Sequence, residues 1–205
     1  MMPMFDVQGF ILVGGASSRM GKDKAQLRFG EQTSVELIAA ALRSVTQFVT
    51  TVGGSHQENE ALPNIPDCRP NWGPLGGIES ALRQAKSRHC VIVACDFPFV
   101  TGALFERLLA CTDDADALVP LQNDYRPQPL CAVYRVETCL LAADAAIAAE
   151  EHSPRALLDR VQPRYLPFSE LSPLERSEHF FFNVNTPDNY ERAQRNFIEK
   201  ADREV

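Results

Sequence analysis

The sequence predicts one α/β domain in which helices cover both faces of a mostly parallel sheet, a three-layer Rossmann-like arrangement. Short continuous apolar runs are typical of strands buried on both faces, and residues 9–13 ("GFILV") and 90–95 ("CVIVAC") have this form. Segments with helical periodicity alternate with such runs, as in β–α–β units joined by right-handed crossovers. No repeat or long linker divides the chain, so a single domain is expected over residues 1–205.

Local signals place the elements in order. After the strand at 9–13, a helix begins near Thr33, where Thr33 and Glu36 fit a capping box. The β-branched run 48–52 predicts the next strand, which ends at two glycines. The remaining predicted elements are a helix over 78–86, a strand over 90–95, a helix from Thr101 to about Cys111, strands over 117–120 and 129–134, a helix marked by apolar residues 136, 140, 143 and 147, and helices capped at Ser153–Pro154 and Thr186–Pro187.

Composition and charge narrow the classes of function. The chain has 20 Lys+Arg against 27 Asp+Glu, which gives a net charge of -7. Sequence-independent nucleic-acid binding depends on neutralised phosphates, so nucleic acid is not expected as a partner. No apolar run approaches the roughly 18 residues that span a membrane, and the N-terminus lacks the basic region of a signal peptide. Most of the six cysteines lie in apolar runs, as buried thiols do in a reducing compartment, so a cytoplasmic protein is expected.

A basic loop, residues 14–28, follows the first predicted strand. In open α/β sheets, ligands bind at the carboxyl ends of the strands, and glycines such as Gly14 and Gly15 let the backbone approach a phosphate closely. Its four cations are Arg19, Lys22, Lys24 and Arg28. The loop fits neither the P-loop, because Lys22 is followed by Asp23 instead of a hydroxyl residue, nor the dinucleotide fingerprint. It is therefore predicted to wrap around a triphosphate, although a solvated turn is the alternative.

Asp96 stands directly after the second buried strand. A carboxylate at that place can hold Mg²⁺, a hard cation that favours oxygen ligands and substrate phosphates. The alternative is an aspartate that only caps the following helix. The position after a buried strand favours the metal-binding interpretation, with substrate phosphates as the other ligands.

Two further segments carry polar groups. Residues 67–78 ("DCRPNWGPLGGI") combine stiff prolines with a glycine-rich turn, which favours a loop that closes on a base or ribose. Asn183 and Asn185 occupy alternate positions of an extended segment, so both amides should face the same way. They could bind a polar ligand, or they could belong to the turn before Thr186.

Together these segments resemble the molybdenum cofactor guanylyltransferases, nucleotidyltransferases with a glycosyltransferase-A-like fold. The resemblance covers nearly the whole chain in the same order. The signature Leu-Ala-Gly-Gly-x-Ser-x-Arg-Met-Gly-x-Asp-Lys is matched by residues 12–24, Gly-Pro-Leu-Ala-Gly by 73–77, Cys-Asp-x-Pro-Phe by 95–99 and Asn-Val-Asn-Thr-Pro by 183–187. The first motif marks nucleotidyltransferases broadly, whereas the four together are specific to the molybdopterin branch.

The resemblance implies a reaction and a set of site residues. GMP would pass from GTP to the terminal phosphate of molybdenum-molybdopterin, giving the guanine dinucleotide cofactor and pyrophosphate. The implied nucleotide-binding residues are Leu12, Val13, Gly14, Gly15, Lys24, Asp67 and Asp96. The implied catalytic residues are Arg19, Lys24 and Asp96, with Mg²⁺ at Asp96, and the implied pterin contacts are Asn183 and Asn185. The N-terminal half would thus bind the nucleotide and the C-terminal half the pterin, with molybdoenzyme apoproteins or cofactor chaperones as further partners.

The sequence departs from the family pattern in two places. Family members can carry a nucleotide-contacting asparagine after the second strand, where this chain has Val52 or Gly53. Val13 replaces an alanine, a change that backbone contacts should tolerate. Arg126 and Arg135 are further candidates for anion contacts in the C-terminal half.

Three alternative functions remain open at this point. A cytidylyltransferase would act on the same pterin with CTP in place of GTP. A sugar-phosphate nucleotidyltransferase would share the first loop but lack the Asn-Val-Asn-Thr-Pro segment. A non-catalytic nucleotide-binding module would deliver the cofactor, but it would not need Arg19, Lys24 and Asp96 together.

Overall fold

The computed structural model describes residues 6–13, 24–54, 62–112 and 114–201. Within them the strands are β1 (Val7–Leu12), β2 (Arg28–Phe29), β3 (Gln32–Thr33), β4 (Val49–Val52), β5 (Asn64–Ile65), β6 (His89–Ala94), β7 (Ala117–Pro120), β8 (Cys131–Arg135) and β9 (Pro163–Leu166). The α-helices are α1 (Ser34–Leu42), α2 (Pro74–Gln84), α3 (Gly102–Leu109), α4 (Val136–Ala148), α5 (Pro154–Leu158), α6 (Phe168–Leu171) and α7 (Pro187–Ala201). No helix in these ranges has the length and apolar character needed to cross a membrane.

The predicted helix starts are confirmed where a side chain caps the backbone. At α1 the Glu36 N–H donates to Thr33 Oγ1 over 3.2 Å, and the Thr33 N–H donates to Glu36 Oε2 over 2.7 Å, so the capping box is complete. Ser153 caps α5 with its hydroxyl. The Asn189 N–H donates to Thr186 Oγ1 over 3.2 Å at the start of α7. These caps satisfy amides that the first helical turn leaves without a helical partner.

Helix α2 begins four residues earlier than the sequence predicts, at Pro74 instead of Ile78. Pro74 occupies the first helical turn, where its missing N–H costs nothing. Gly76 and Gly77, expected in a turn, lie inside the helix. A Cβ at Gly76 would stand 2.8 Å from the Cβ of Trp72, so close packing requires glycine there despite its poor helix propensity.

A seven-stranded sheet forms the centre of the molecule, in the order β5-β4-β1-β6-β8-β7-β9. Neighbours among β5, β4, β1 and β6 are parallel, as are β7 and β9. Strand β8 is antiparallel to both β6 and β7, so β7 and β9 run in the same direction as β1. The mostly parallel sheet of the prediction is confirmed, with β8 as its reversed strand.

Helices cover both faces of this sheet. Along β1, Ile11 packs in the cluster that contains α1 and α3, whereas Phe10 and Leu12 pack in the cluster that contains α2, α4 and α5. Val93 and Ile92 of β6 divide in the same way. Because alternate strand residues point to opposite faces, the two clusters are the two sides of one three-layer domain.

A smaller apolar cluster joins the C-terminal helix to the rest. Phe29 of the β2–β3 hairpin packs edge-to-face against Phe99 and Tyr190, with ring centroids 5.5 and 5.6 Å apart. Buried Val184 and Ala193 complete it. The cluster therefore fixes the segment before α7 against the segment that follows β6, which carries the predicted metal ligand.

Candidate active site

Those predicted site residues that lie within the described ranges converge on one edge of the sheet. The last residues of β1 and β6, Leu12 and Ala94, are paired in register. Strands β4, β5, β7 and β9 end at the same side, which we call the carboxyl edge. Ligands of open α/β sheets bind at this edge, because the loops that leave it can surround a molecule without interrupting the sheet.

The end of β1 is held from both sides. The Cys95 N–H donates to the Leu12 carbonyl over 3.0 Å, and the Val13 N–H donates to the Val52 carbonyl over 2.9 Å. These groups of Leu12 and Val13 are therefore engaged within the sheet. The residues that follow, Gly14 and Gly15, lie outside the described residues, as does Arg19. Lys24 begins a 3-10 helix of one turn.

Asp96 follows β6 directly, beside the end of β1, and neighbouring segments fix its backbone. The Val184 N–H donates to the Asp96 carbonyl over 3.0 Å, and the Ser34 hydroxyl at the start of α1 donates to the Cys95 carbonyl. The carboxylate oxygen Oδ1 is shielded from solvent. Three separate stretches of chain thus hold the backbone from which this carboxylate projects.

The charge of Asp96 affects a neighbouring thiol. Burial, and to a smaller extent the Asp96 carboxylate, raises the pKa of Cys131 far above its ordinary value. This thiol at the start of β8 therefore stays protonated at neutral pH. A protonated, buried thiol is a poor nucleophile, so Cys131 is a packing residue beside the site.

The surroundings of Asp96 fit a metal ion whose ligands come partly from the protein and partly from a substrate. Among the described residues, no three His, Cys, Asp or Glu side chains come together as a metal cage. Mg²⁺ usually takes one or two carboxylates and completes its shell with waters and substrate phosphates. A single fixed carboxylate at the carboxyl edge is compatible with that coordination and unlike a structural metal centre.

Asp67 lies in the loop after β5, at the same edge. The Cys68 N–H donates to Ser80 Oγ over 2.8 Å, which ties this loop to α2. A Cβ at Gly77 would stand 3.8 Å from Asp67 Oδ1 and 3.4 Å from two methyl carbons of Leu12. The side chains of Asp67 and Leu12 therefore both approach the backbone of α2 at Gly77. Partial burial raises the pKa of the Asp67 carboxyl above its ordinary value.

Trp72 fixes the same loop to the C-terminal half, a contact that the sequence did not predict. Its ring stacks on that of His152, with centroids 4.3 Å apart. Trp72 Nε1 donates to the Glu151 carbonyl over 3.3 Å, and His152 Nδ1 lies 3.2 Å from the Trp72 carbonyl oxygen. The only tryptophan of the chain, set among prolines and glycines, was the available signal of a packing anchor.

Asn183 and Asn185 flank buried Val184, and both are partly buried. The Asn189 side chain donates to the Asn183 carbonyl over 3.1 Å, which holds this segment on the start of α7. Asn183 Oδ1 is buried and makes no hydrogen bond to any described residue. Because the Val184 N–H donates a hydrogen bond to the Asp96 carbonyl, the segment with the two asparagines lies directly beside the predicted metal ligand.

The two arginines considered as anion contacts have different positions. Arg135 ends β8, pairs in register with His89 at the start of β6, and lies 3.8 Å from Asp116. It is therefore at the edge opposite Asp96, because β8 runs in the reverse direction, and it is not part of this site. Arg126 follows β7 at the carboxyl edge and forms a 2.6 Å ion pair with Asp124.

A cavity of about 540 Å³ opens beside Arg126. The residues that line it come from the turn after β7, from the start of α6 and from the segment before Asn183: Gln122, Asn123, Asp124, Arg126, Phe168, Ser177, Glu178, Phe181 and Phe182. Apart from Arg126, none of them was predicted as a site residue. The rule that pointed to residues 14–28 and Asp96, ligand binding at carboxyl ends of strands, applies equally to the turn after "ALVP".

Comparison with known proteins agrees with this geometry. Residues 9–164 match the family described as "MobA-like NTP transferase domain". A probable molybdenum cofactor guanylyltransferase of Pelotomaculum thermopropionicum is 33% identical over 193 residues, which are 93% of this chain and 93% of that protein. One from Carboxydothermus hydrogenoformans is 32% identical over 91% of this chain and 94% of that protein.

Solved structures share the fold. Molybdopterin-guanine dinucleotide biosynthesis protein A from Archaeoglobus fulgidus superposes with a TM-score of 0.79 and 28% identity, over 94% of this chain and 99% of that one. The 2-C-methyl-D-erythritol 4-phosphate cytidylyltransferase of Thermus thermophilus, 14% identical over 91% of this chain and 96% of that one, has a TM-score of 0.69 and shows a common fold only. The length of the family match and the level of identity therefore establish that the chain belongs to the MobA-like NTP transferase family and is a nucleotidyltransferase.

Proposed function

We propose that the protein transfers GMP from GTP to the terminal phosphate of molybdenum-molybdopterin and releases pyrophosphate. The observation that carries the proposal is the position of Asp96, fixed beside the end of β1 where the basic loop begins. A nucleoside triphosphate held by that loop would present its phosphates to this carboxylate. The names of the relatives, molybdenum cofactor guanylyltransferase, support the choice of both substrates.

The side chains act by position and charge. Transfer of a nucleotidyl group requires alignment and charge neutralisation more than covalent help from the protein. Asp96 would hold Mg²⁺ together with phosphate oxygens, and the ion would neutralise their charge. Lys24 and Arg19 stabilise the charge that develops on the departing pyrophosphate. The acceptor phosphate is already ionised near pH 7, so no general base is required.

Asn183 and Asn185 bind the phosphate of the acceptor substrate. Amide N–H groups donate hydrogen bonds to phosphate oxygens without adding charge, and Asn183 and Asn185 stand beside Asp96. Seating the acceptor phosphate there brings the two reacting phosphates to the same carboxylate. Asp67, on the other side of β1 and partly buried, accepts hydrogen bonds from the guanosine.

Replacing Asp67 with asparagine is expected to stabilise the fold and to weaken GTP binding. Burial raises the pKa of this carboxyl, so the folded state disfavours its charged form. The resulting loss of stability develops as the pH rises from about the ordinary value of 3.8 through the raised pKa, and it is complete above that raised pKa. Asp67→Asn should therefore have a higher Tm at pH 7 and a Tm near that of the wild type in acid, while the KM for GTP rises about tenfold.

Thermal melts across pH and steady-state kinetics test both halves of this prediction. Asp114→Asn is the matched control, because Asp114 is exposed in the connection before β7. A Tm at pH 7 that falls in Asp67→Asn, or an unchanged KM for GTP, would contradict the assignment.

Pyrophosphate release by the purified protein tests the function itself. With GTP, Mg²⁺ and molybdopterin we expect stoichiometric pyrophosphate and guanine dinucleotide, and no turnover when EDTA replaces Mg²⁺. CTP in place of GTP should react at least about a hundredfold more slowly, since polar groups matched to one base are left unpaired by another. Preference for CTP would instead identify a cytidylyltransferase. Tight GTP binding without pyrophosphate would identify a non-catalytic module.

A further inference from the structure

The connection between β5 and α2 follows the surface of α2, and we call residues 67–73 of it the Asp67 loop. Asp67 Oδ1 lies 3.8 Å from where a Cβ at Gly77 would stand. The next amide, the Cys68 N–H, donates to Ser80 Oγ over 2.8 Å. The side chain proposed to contact the guanosine is therefore carried by a backbone that is tied to the helix one residue later.

Arg69 continues the same path around the helix. Its Nε lies 3.7 Å from Oε2 of Glu79. Successive residues of an α-helix are rotated by about 100°, so Ser80 lies about 60° and Glu79 about 160° from Gly77 in the same sense. Asp67 and Arg69 therefore lie against nearly opposite sides of α2. The contact between Arg69 and Glu79 is the far end of this path and draws the Asp67 loop onto the helix.

Glu79 is a buried carboxylate that the proposed reaction does not use. Its side chain is 1% exposed. Nε and Nη2 of Arg83 both donate to its Oε1, over 3.1 and 2.7 Å. Its Oε2 is buried, makes no hydrogen bond to any described residue and faces the guanidinium of Arg69. A buried charge that loses its partner is strongly destabilising, so the structure holds the Arg69 side chain against α2.

Arg69 joins this contact to the rest of the loop. Its side chain is 46% exposed, so its replacement leaves the apolar core intact. Its carbonyl accepts a hydrogen bond from the Trp72 N–H over 3.2 Å. Trp72 in turn stacks on His152. Arg69 thus connects Glu79, through its side chain, with the anchored end of the loop, through its backbone.

We propose that Glu79 is a positioning residue for nucleotide binding, which holds Arg69 and thereby fixes the Asp67 carboxylate where the guanosine requires it. The proposal rests on the function proposed above, in which Asp67 accepts hydrogen bonds from the guanosine. A group that the fold already holds in place loses less conformational freedom on binding than one on a loose loop, so it binds more tightly. Glu79 therefore sets the affinity for GTP and leaves the chemistry at Asp96 unchanged.

Calorimetric titration with GTP and Mg²⁺, without acceptor, measures this effect. Arg69→Gln and Glu79→Gln should each raise the Kd for GTP about fivefold, because the Asp67 loop can then take other positions. Arg69→Lys keeps a positive charge at a contact that is not bidentate, so its Kd should stay within about twofold of the wild type. In steady-state kinetics of the two glutamine variants, the KM for GTP should rise by the same factor while kcat stays within about twofold.

A double-mutant cycle separates positioning from a general loss of stability. If Arg69 acts through Asp67, Arg69→Gln should weaken GTP binding by less than about twofold in an Asp67→Asn background, since the carboxylate that it positions is gone. The same fivefold loss in both backgrounds would overturn the proposal, as would wild-type affinity in Arg69→Gln. Because Arg69 is partly exposed, this cycle decides the question even where Glu79→Gln fails to fold.

Two controls match the variants. Asp144→Asn removes the other carboxylate that pairs with Arg83 and should leave the Kd for GTP unchanged. Arg88→Gln removes an exposed positive charge just before β6, at the opposite edge of the sheet, and should also bind GTP as the wild type does.

The titrations also distinguish this proposal from the proposed function. If GTP binding changes as expected but the wild-type protein releases no pyrophosphate, the reaction is wrong and the positioning role stands. Turnover by the wild type together with an unchanged Kd in Arg69→Gln would overturn the positioning role alone. Absence of GTP binding by the wild type would overturn both.

Discussion

Asp96→Asn is expected to lower the rate of pyrophosphate release at least about a hundredfold at saturating GTP, because a neutral amide loses the charge that would hold Mg²⁺ against the phosphates. The fold should persist. The Val184 N–H bonds to the backbone carbonyl of residue 96, and asparagine keeps the size of the side chain. Rates measured across a range of Mg²⁺ concentrations should stay low in the variant, since added ion does not restore a lost ligand.

The matched control is Asp144→Asn. Asp144 lies on α4 and pairs with the partly exposed guanidinium of Arg83, near the end of α2 that leads to the start of β6 and so away from the carboxyl edge. Its variant removes one negative charge from the surface and should keep wild-type turnover, since surface ion pairs contribute little. A rate in Asp96→Asn within about fivefold of the wild type would remove Asp96 from the catalytic machinery.

Lys24→Ala is expected to lower turnover by about a hundredfold or more, as the loss of a preorganised charged donor at a developing anion typically does. Lys24 lies in the basic loop and begins the 3-10 helix that leads into the β2–β3 hairpin. Lys24→Arg should recover part of the rate, because it restores the charge without the compact ammonium geometry. Single-turnover measurements with GTP and molybdopterin separate this effect from slow product release.

Lys86→Ala controls for the loss of one positive charge. Lys86 is exposed in the connection between α2 and β6, at the opposite end of β6 from Asp96. Turnover in this variant should match the wild type. Near-normal turnover in Lys24→Ala would mean that other cations neutralise the pyrophosphate and that Lys24 has no role in the reaction.

The main elements could be predicted because their signals are local. The capping pair Thr33 and Glu36 and the apolar runs that became β1 and β6 depend on neighbouring residues alone. The start of α2 was misplaced for the opposite reason. Glycine has a low helix propensity, so the sequence around Gly76 does not predict a helix. In the structure this helix requires glycine at residue 76, because a Cβ there would collide with the Cβ of Trp72, and that contact exists only in the folded loop.

Edge strands and strand direction could not be predicted. Strand β5 is two residues long between prolines, and β9 begins with Pro163, a residue that tolerates only an edge position. The apolar run that forms β8 has the same pattern in either direction, because burial on both faces leaves no directional signal. The misplacement of Arg135 follows from that ambiguity, since the direction of β8 decides which edge this side chain reaches.

The residues of the candidate site also differ in whether the sequence alone could locate them. Asp96 and the pair Asn183 and Asn185 could be located because each follows a recognisable strand or precedes a capped helix. Trp72 and the lining of the cavity could not, because they depend on contacts between distant stretches of chain, such as Trp72 with His152 and Gln122 with Phe181. Whether those partners meet is a property of tertiary packing.

The reversal of β8 also has a consequence for how such enzymes can diversify. At the carboxyl edge β8 contributes its beginning and no outgoing loop, so it separates the loops encoded before residue 100 from those encoded after residue 120. Each group is anchored to its own strands. Mutations that reshape one group leave the strand pairing beneath the other intact, so a change in one group does not have to propagate to the other through the sheet.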